Sequence, residues 1–137
     1  MVDRISPAQR SANMARILNK DSVPEMLVRR FVHSLGYRYR LHSPKLPGHP
    51  DLVLSGLRKV VFVHGCFWHR HPGCALAAVP KTRVEFWKKK FDRNIERDRR
   101  VLKELRKSGW AVLVVWECET RVPTKLERKI IRFLEKE

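Results

Sequence analysis

The hydrophobic periods along this chain predict an α/β fold, a central mixed sheet flanked by helices. Three observations predict it. Apolar residues recur every three or four positions near the start, middle and end of the chain. Short β-branched runs lie between those stretches, and Gly and Pro mark most of the junctions. Such an order places helices over the faces of a sheet.

The elements follow in order. Ser6-Pro7 supplies an N-cap and a first-turn proline for a short basic helix carrying Arg4, Arg10, Arg16 and Lys20. Ser22-Val23-Pro24-Glu25 reads as a capping box opening a second helix, with Leu27, Phe31 and Leu35 on its apolar face and Gly36 at its end. Tyr37 to Leu41 alternates as a strand with one wet face. After a turn-rich loop from Pro44 to Pro50, Asp51–Ser55 and Lys59–His64 form two further strands, paired as a hairpin across Gly56. The stretch from His64 to Pro80 is irregular and rich in Gly, Pro, His and Cys. Thr82 to Lys107 is a long helix, with Val84, Trp87, Phe91, Ile95, Leu102 and Leu105 at helical spacing and Gly109 as its stop. Ala111 to Trp116 is a nearly continuous apolar run, expected of a strand buried on both faces. A last amphipathic helix carries Leu126, Ile130 and Phe133 or Leu134. The predicted order is αα-βββ-α-β-α, and residues 1–137 are expected to form a single domain.

Thirty Lys and Arg against fourteen acidic residues give a net charge of +16. An excess of this size repels itself in the folded state and points to a polyanionic partner, nucleic acid above all. The chain has no apolar run near membrane-spanning length and no basic-then-apolar leader. It is therefore expected to be cytoplasmic, associated with the nucleoid and without a membrane partner. Three cysteines in a reducing compartment argue against a disulfide framework and leave metal binding open.

The irregular loop offers Cys66, His69, His71 and Cys74, and Cys118 follows the last strand. Cys66, His71, Cys74 and Cys118 would make a closed Cys3His set suited to structural zinc, and His69 is the competing histidine. Free buried thiols and phosphate-binding histidines are the plainer alternative. Asp51 opens its strand after Pro47-Gly48-His49-Pro50, either as a turn acid or as a cation ligand. Asp98 lies on the apolar stripe of the long helix, where a carboxylate must be paired, with Arg97 for example, or bound to something. Glu25 has a cap to serve, a functional role, or both. Phe67 and Trp68 are awkward as core residues in so polar a loop, and could form a wedge that enters a base stack. Trp87 either joins them from the long helix or packs in the core. Lys88, Lys89, Lys90, Arg93, Arg97, Arg99, Arg100 and Lys103 suit phosphate contact.

Together Pro47-Gly48-His49-Pro50-Asp51, the string from Val61 through His64-Gly65-Cys66-Phe67-Trp68-His69, Phe86-Trp87, Asn94 to Arg99 and Val115-Trp116-Glu117-Cys118 resemble the very-short-patch-repair (Vsr) endonucleases, as does the opening Arg10 to Met14. The resemblance implies a divergent PD-(D/E)xK, restriction-endonuclease-like fold with a structural zinc site. It implies a magnesium-dependent enzyme that nicks one strand on the 5′ side of the thymine in a T:G mismatch. Deamination of 5-methylcytosine creates such mismatches, so the implied partners are mismatched double-stranded DNA, a cytosine-5 DNA methyltransferase and mismatch-repair proteins. A single asymmetric nick needs only a monomer.

Carried over by motif, Asp51 and the backbone carbonyl of Val63 bind magnesium, with two hard cations bridging the phosphate. His69 activates the water, His64 sits beside the scissile phosphate, and Glu25 and Asp98 act from the outer shell. Cys66, His71, Cys74 and Cys118 hold zinc. Phe67, Trp68 and Trp87 intercalate, and Met14 closes from the opposite groove on a DNA-contacting arm, residues 1–20. Two departures stand out. No acid-x-Lys follows Asp51, because that strand ends Val63-His64-Gly65, an absence shared by the Vsr branch itself. His71-Pro72-Gly73-Cys74 also spaces two implied zinc ligands one residue wider than in some relatives.

Overall fold

A computed structural model describes residues 22–136. The predicted first helix, and Met14 with it, lies outside the described residues. The remaining order is α1 (Val23–Ser34), β1 (Arg40–Leu41), β2 (Leu52–Leu54), β3 (Lys59–His64), α2 (Val84–Lys107), β4 (Ala111–Trp116) and α3 (Pro123–Glu135). The sheet runs β1-β2-β3-β4. β1 and β2, like β2 and β3, pair antiparallel, while β3 and β4 pair parallel in register from Lys59↔Ala111 to His64↔Trp116. The long helix α2 supplies the crossover that a parallel pair requires. Among the described residues, no helix is long and apolar enough to cross a membrane.

Strand alternation sorts the core into two layers. Leu52, Leu54, Val61 and Val115 face α1 and α3, where they meet Val28, Val32, Leu126, Ile130 and Leu134. Val53, Val60 and Phe62 face the other way, onto Leu105 of α2. β3 lies between two partners and is almost wholly buried, whereas β4 closes the edge and keeps only Val115 fully buried. The apolar run of β4 is covered on both faces but less deeply than predicted, because an edge strand lacks a neighbour on one side.

Two other readings shift. β1 is shorter than the predicted Tyr37–Leu41 strand, because only Arg40 and Leu41 find partners in the short β2. Tyr37 and Tyr39 still turn inward onto the core. In α1 the buried face is Glu25, Val28 and Val32, while Leu27 and Leu35 are exposed at 41% and 39%. Phe31 packs at the margin of that core. The stripe is rotated because Glu25 is drawn inward by polar partners and because valines allow close approach to the sheet. The last helix has a terminator that its apolar pattern conceals. Buried Lys59 donates from Nζ to the carbonyls of Phe133, Leu134 and Lys136, supplying charge and hydrogen bonds at the helix C-terminus.

Candidate active site and metal centres

Three polar clusters converge where β2 begins and β3 ends. Asp51 precedes β2, and its Oδ2 accepts a hydrogen bond from the Val63 N–H of β3 at 2.7 Å. Glu25 lies in the first turn of α1, whose start is capped by Ser22 Oγ accepting the Glu25 N–H at 3.3 Å. The Glu25 carboxylate accepts from Arg29 and meets His42 Nε2 at 3.0 and 2.9 Å. Of the predicted capping box the structure shows the Ser22 half, while the Glu25 carboxylate, expected to serve the cap, is engaged by Arg29 and His42 instead.

The loop that delivers Asp51 is pressed against α2. Gly48 has φ +72°, and a Cβ built there would fall 2.5 Å from Val101 Cγ1. Only glycine meets both demands, backbone conformation and clearance. The loop approaches α2 closely enough for Asp51 and Asp98 to face one cleft of about 650 Å³, lined also by His42, His49, His64, His69 and Arg97.

Across that cleft His69 Nδ1 lies 2.7 Å from Asp98 Oδ2. The inward acid of α2 is thus paired with a histidine rather than with Arg97. Its carboxylate selects the tautomer with hydrogen on Nδ1 and leaves Nε2 available. His64 stacks on His69 with ring centroids 3.8 Å apart and planes within 6°. Burial pushes the His64 imidazole down to about 3, and neighbouring His69 pushes the same way. His64 is therefore neutral near pH 7 and acts as a hydrogen-bonding group rather than as a charge. Asp51 moves oppositely: burial raises its carboxyl to about 7, the Val63 N–H opposes the rise, and the Glu25 charge adds to it. A carboxylate so reluctant to ionise is a receptive partner for a cation.

The donors divide by chemistry. Glu25, His42 and Asp51 have ligand atoms all within 4.8 Å of one another, as do His64, His69 and Asp98. The carboxylates of the first group are hard donors that fit magnesium. A third group, Cys66, His71, Cys74 and Cys118, is equally close-set. His71 Nδ1 lies 3.6 Å from Cys66 Sγ and 3.4 Å from Cys118 Sγ. Soft thiolates with one imidazole suit zinc in a closed tetrahedral site. Of the two competing histidines, His71 lies among the cysteines and His69 on Asp98. Without a cation the buried Cys66 thiol is pushed up to about 12, chiefly by burial, so its ionisation requires a compensating positive charge.

Phe67, Trp68 and Trp87 are brought together beside the cleft. Phe67 makes edge contacts with Trp68 at 5.1 Å and Trp87 at 5.6 Å. Buried Phe91 lies under both Phe67 and Trp87. Asn94 Nδ2 of α2 donates to the Trp68 carbonyl at 3.1 Å, tying the loop to the helix. Arg70 donates to the Phe67 and Ala77 carbonyls and lies 4.0 Å over the Phe91 ring.

Two residues on this surface escape a reading by motif. His42 follows the short β1, where strand alternation ends at φ +47°, and only the sheet pairing carries it to Asp51. Arg70 has the appearance of one more basic residue until the fold shows it stapling the loop. A histidine directly after an alternating strand was the one signal available for the first. Nothing local distinguishes the second.

The chain is similar over most of its length to known proteins. Residues 2–75 match the family model described as DNA mismatch endonuclease Vsr. The chain is 44% identical over 135 residues to Type II nicking enzyme V.XorIIP of Xanthomonas oryzae pv. oryzae, covering 98% of each chain. It is also 44% identical over 126 residues to DNA mismatch endonuclease Vsr of Escherichia coli, covering 92% of this chain and 80% of that one. A third relative, Type II nicking enzyme V.NmeAIP of Neisseria meningitidis, is 44% identical over 121 residues, 88% of this chain and 86% of its own. Family-model and full-length matches agree, and the chain belongs to the DNA mismatch endonuclease Vsr family.

Proposed function

We propose that this protein is a magnesium-dependent endonuclease that nicks DNA on the 5′ side of the thymine in a T:G mismatch and so starts very-short-patch repair. The observation that carries the reading is the convergence of Asp51 and the His69–Asp98 pair on one cleft, with three aromatic rings alongside. The relatives named as a mismatch endonuclease and as nicking enzymes support the reaction class. On this reading the fold is a divergent PD-(D/E)xK nuclease in which residues 1–137 act as one domain and one monomer.

Asp51, with the Val63 carbonyl, would hold magnesium against the scissile phosphate, and Glu25 supports it. When bound, such cations supply Lewis-acid stabilisation of the attacking and leaving oxygens. His69 takes the proton from the attacking water at Nε2, and Asp98 holds Nδ1–H and stabilises the imidazolium that forms. General-base assistance of this kind contributes roughly 10²–10⁴-fold to rate. Neutral His64, stacked on His69, offers an N–H to a phosphate oxygen without competing for positive charge. Cys66, His71, Cys74 and Cys118 would hold structural zinc, which would fix the loop that carries Phe67, Trp68 and His69.

Phe67, Trp68 and Trp87 enter the base stack beside the mismatch, where unstacking costs least. Met14 and the arm of residues 1–20 complete the grip. The basic residues of α2 contact phosphates, consistent with the net charge of +16. A cytosine-5 methyltransferase generates the need for the reaction, and mismatch-repair proteins act in the same process. The protein works in the cytoplasm at the nucleoid.

Asp51→Asn tests the chemistry. Single-turnover cleavage of a T:G duplex is expected to fall by at least about 10³-fold, while the dissociation constant of the mismatched duplex stays within a few-fold. Cleavage at the parental rate would remove Asp51 from the centre. Trp68→Ala tests recognition. Discrimination of T:G over T:A duplex in binding is expected to fall by about 1–3 kcal/mol, the scale of base–aromatic stacking. Unchanged discrimination would make Trp68 a packing residue.

A further inference from the structure

Glu25 and Asp51 are not alone at their end of the cleft. His42 Nε2 lies 2.9 and 3.0 Å from the two Glu25 oxygens and 3.7 Å from Asp51 Oδ1. Donors bound about 2.1 Å from one octahedral cation, at right angles, lie about 3.0 Å apart. The His42–Glu25 separations match those of neighbouring ligands on a single ion, Asp51 Oδ1 stands somewhat farther from His42, and all three residues offer ligand atoms within 4.8 Å of one another. We propose that His42 is a third protein donor of the cation centre, through Nε2, and that the resulting mixed nitrogen and oxygen site favours Mn²⁺ over Mg²⁺. The inference rests on the placement of the catalytic cation at Asp51 and adds to it a ligand and a selectivity.

Three features separate this role from a simple ion pair. Glu25 already has the guanidinium of Arg29, so it does not need His42 to neutralise it. Asp51 Oδ2 is occupied by the Val63 N–H, whereas Oδ1 faces His42 at a distance too long for a hydrogen bond. His42 is itself held in place, its backbone N–H on the Asp51 carbonyl at 3.2 Å and its φ at +47°, a conformation uncommon outside glycine. An imidazole preset in this way suits borderline ions, while Mg²⁺ gives up water reluctantly and gains less from a nitrogen donor.

The experiment uses Mn²⁺ as the probe on the full chain, without DNA. Three-pulse electron spin echo modulation is expected to show ¹⁴N coupling from one directly bound imidazole, and calorimetry to show Mn²⁺ bound more tightly than Mg²⁺. His42→Gln is expected to abolish the coupling and weaken Mn²⁺ by about tenfold, with a smaller loss for Mg²⁺. His42→Asp restores an oxygen donor, so it is expected to regain cation affinity without the coupling or the Mn²⁺ preference. Near-UV circular dichroism identifies any variant that has not folded, and the other variant then decides. Coupling that survives both substitutions, or is absent from the parent while Asp51→Asn still abolishes Mn²⁺ binding, overturns the role of His42. Mn²⁺ affinity unchanged in Asp51→Asn overturns the cation centre itself, and the His42 assignment with it.

Discussion

Among single residues, Asp51 concentrates the conflict between folding and chemistry. Its carboxyl is raised from 3.8 to about 7 by burial, so the metal-free folded protein holds a proton that the unfolded chain releases at lower pH. The sign follows from linkage. Any stability gained from this group is complete below about pH 4 and is lost as the pH rises through 7. Asp51→Asn removes that loss. In EDTA, the Tm of the variant minus that of the parent is therefore expected to grow between pH 5 and pH 8. A difference that is flat or shrinks would show that Asp51 is not strained in the metal-free protein. Asp51 and Asp98 were recognisable in the chain as acids in unusual places, one at a strand mouth and one on an apolar stripe. Their partners were not, because His69 reaches Asp98 and His42 reaches Glu25 only through contacts distant in sequence.

For the elements, period and punctuation located each helix and strand, but not which way each faces or how far it pairs. In α1, Leu27 and Leu35 have the stronger apolar signal, yet Val28 and Val32 are buried because Glu25 turns inward beside them. β1 shortens because pairing depends on the partner strand as well as on its own alternation. The loop from 64 to 80 is the opposite case: its cysteine and histidine spacing picked out four side chains that the fold brings together, which no hydrophobic pattern would have disclosed. If zinc holds Cys66, His71, Cys74 and Cys118, its removal should free the loop before the sheet melts. Treatment with a zinc-selective chelator is expected to release one equivalent of zinc and to raise amide exchange in residues 66–78. β3 should remain protected. Loss of protection across the whole sheet at once would make the clamp part of the global fold. No released zinc would remove it.

Taken as a whole, the molecule divides its tasks between the two faces of one sheet. α1 and α3 cover one face with the larger apolar layer. α2 covers the other and supplies three things along its length, Trp87 in the aromatic cluster, Asn94 as a tie to Trp68, and Asp98 at the cleft. On the proposed reading, aromatic wedge and hydrolytic centre share one helix, which would couple recognition of a disrupted base pair to the position of the cut. The net charge of +16 announced a nucleic-acid partner from composition alone, but the common footing of wedge and cleft is a property of the fold. The most direct test is strand-resolved cleavage of labelled duplexes carrying one T:G mismatch in varied flanks, with T:A controls, with and without magnesium. A single magnesium-dependent nick immediately 5′ of the mismatched thymine, absent from the T:A duplex, is the expected result. Cleavage of paired DNA at a comparable rate, or mismatch binding with no nick in any flank, would contradict the account.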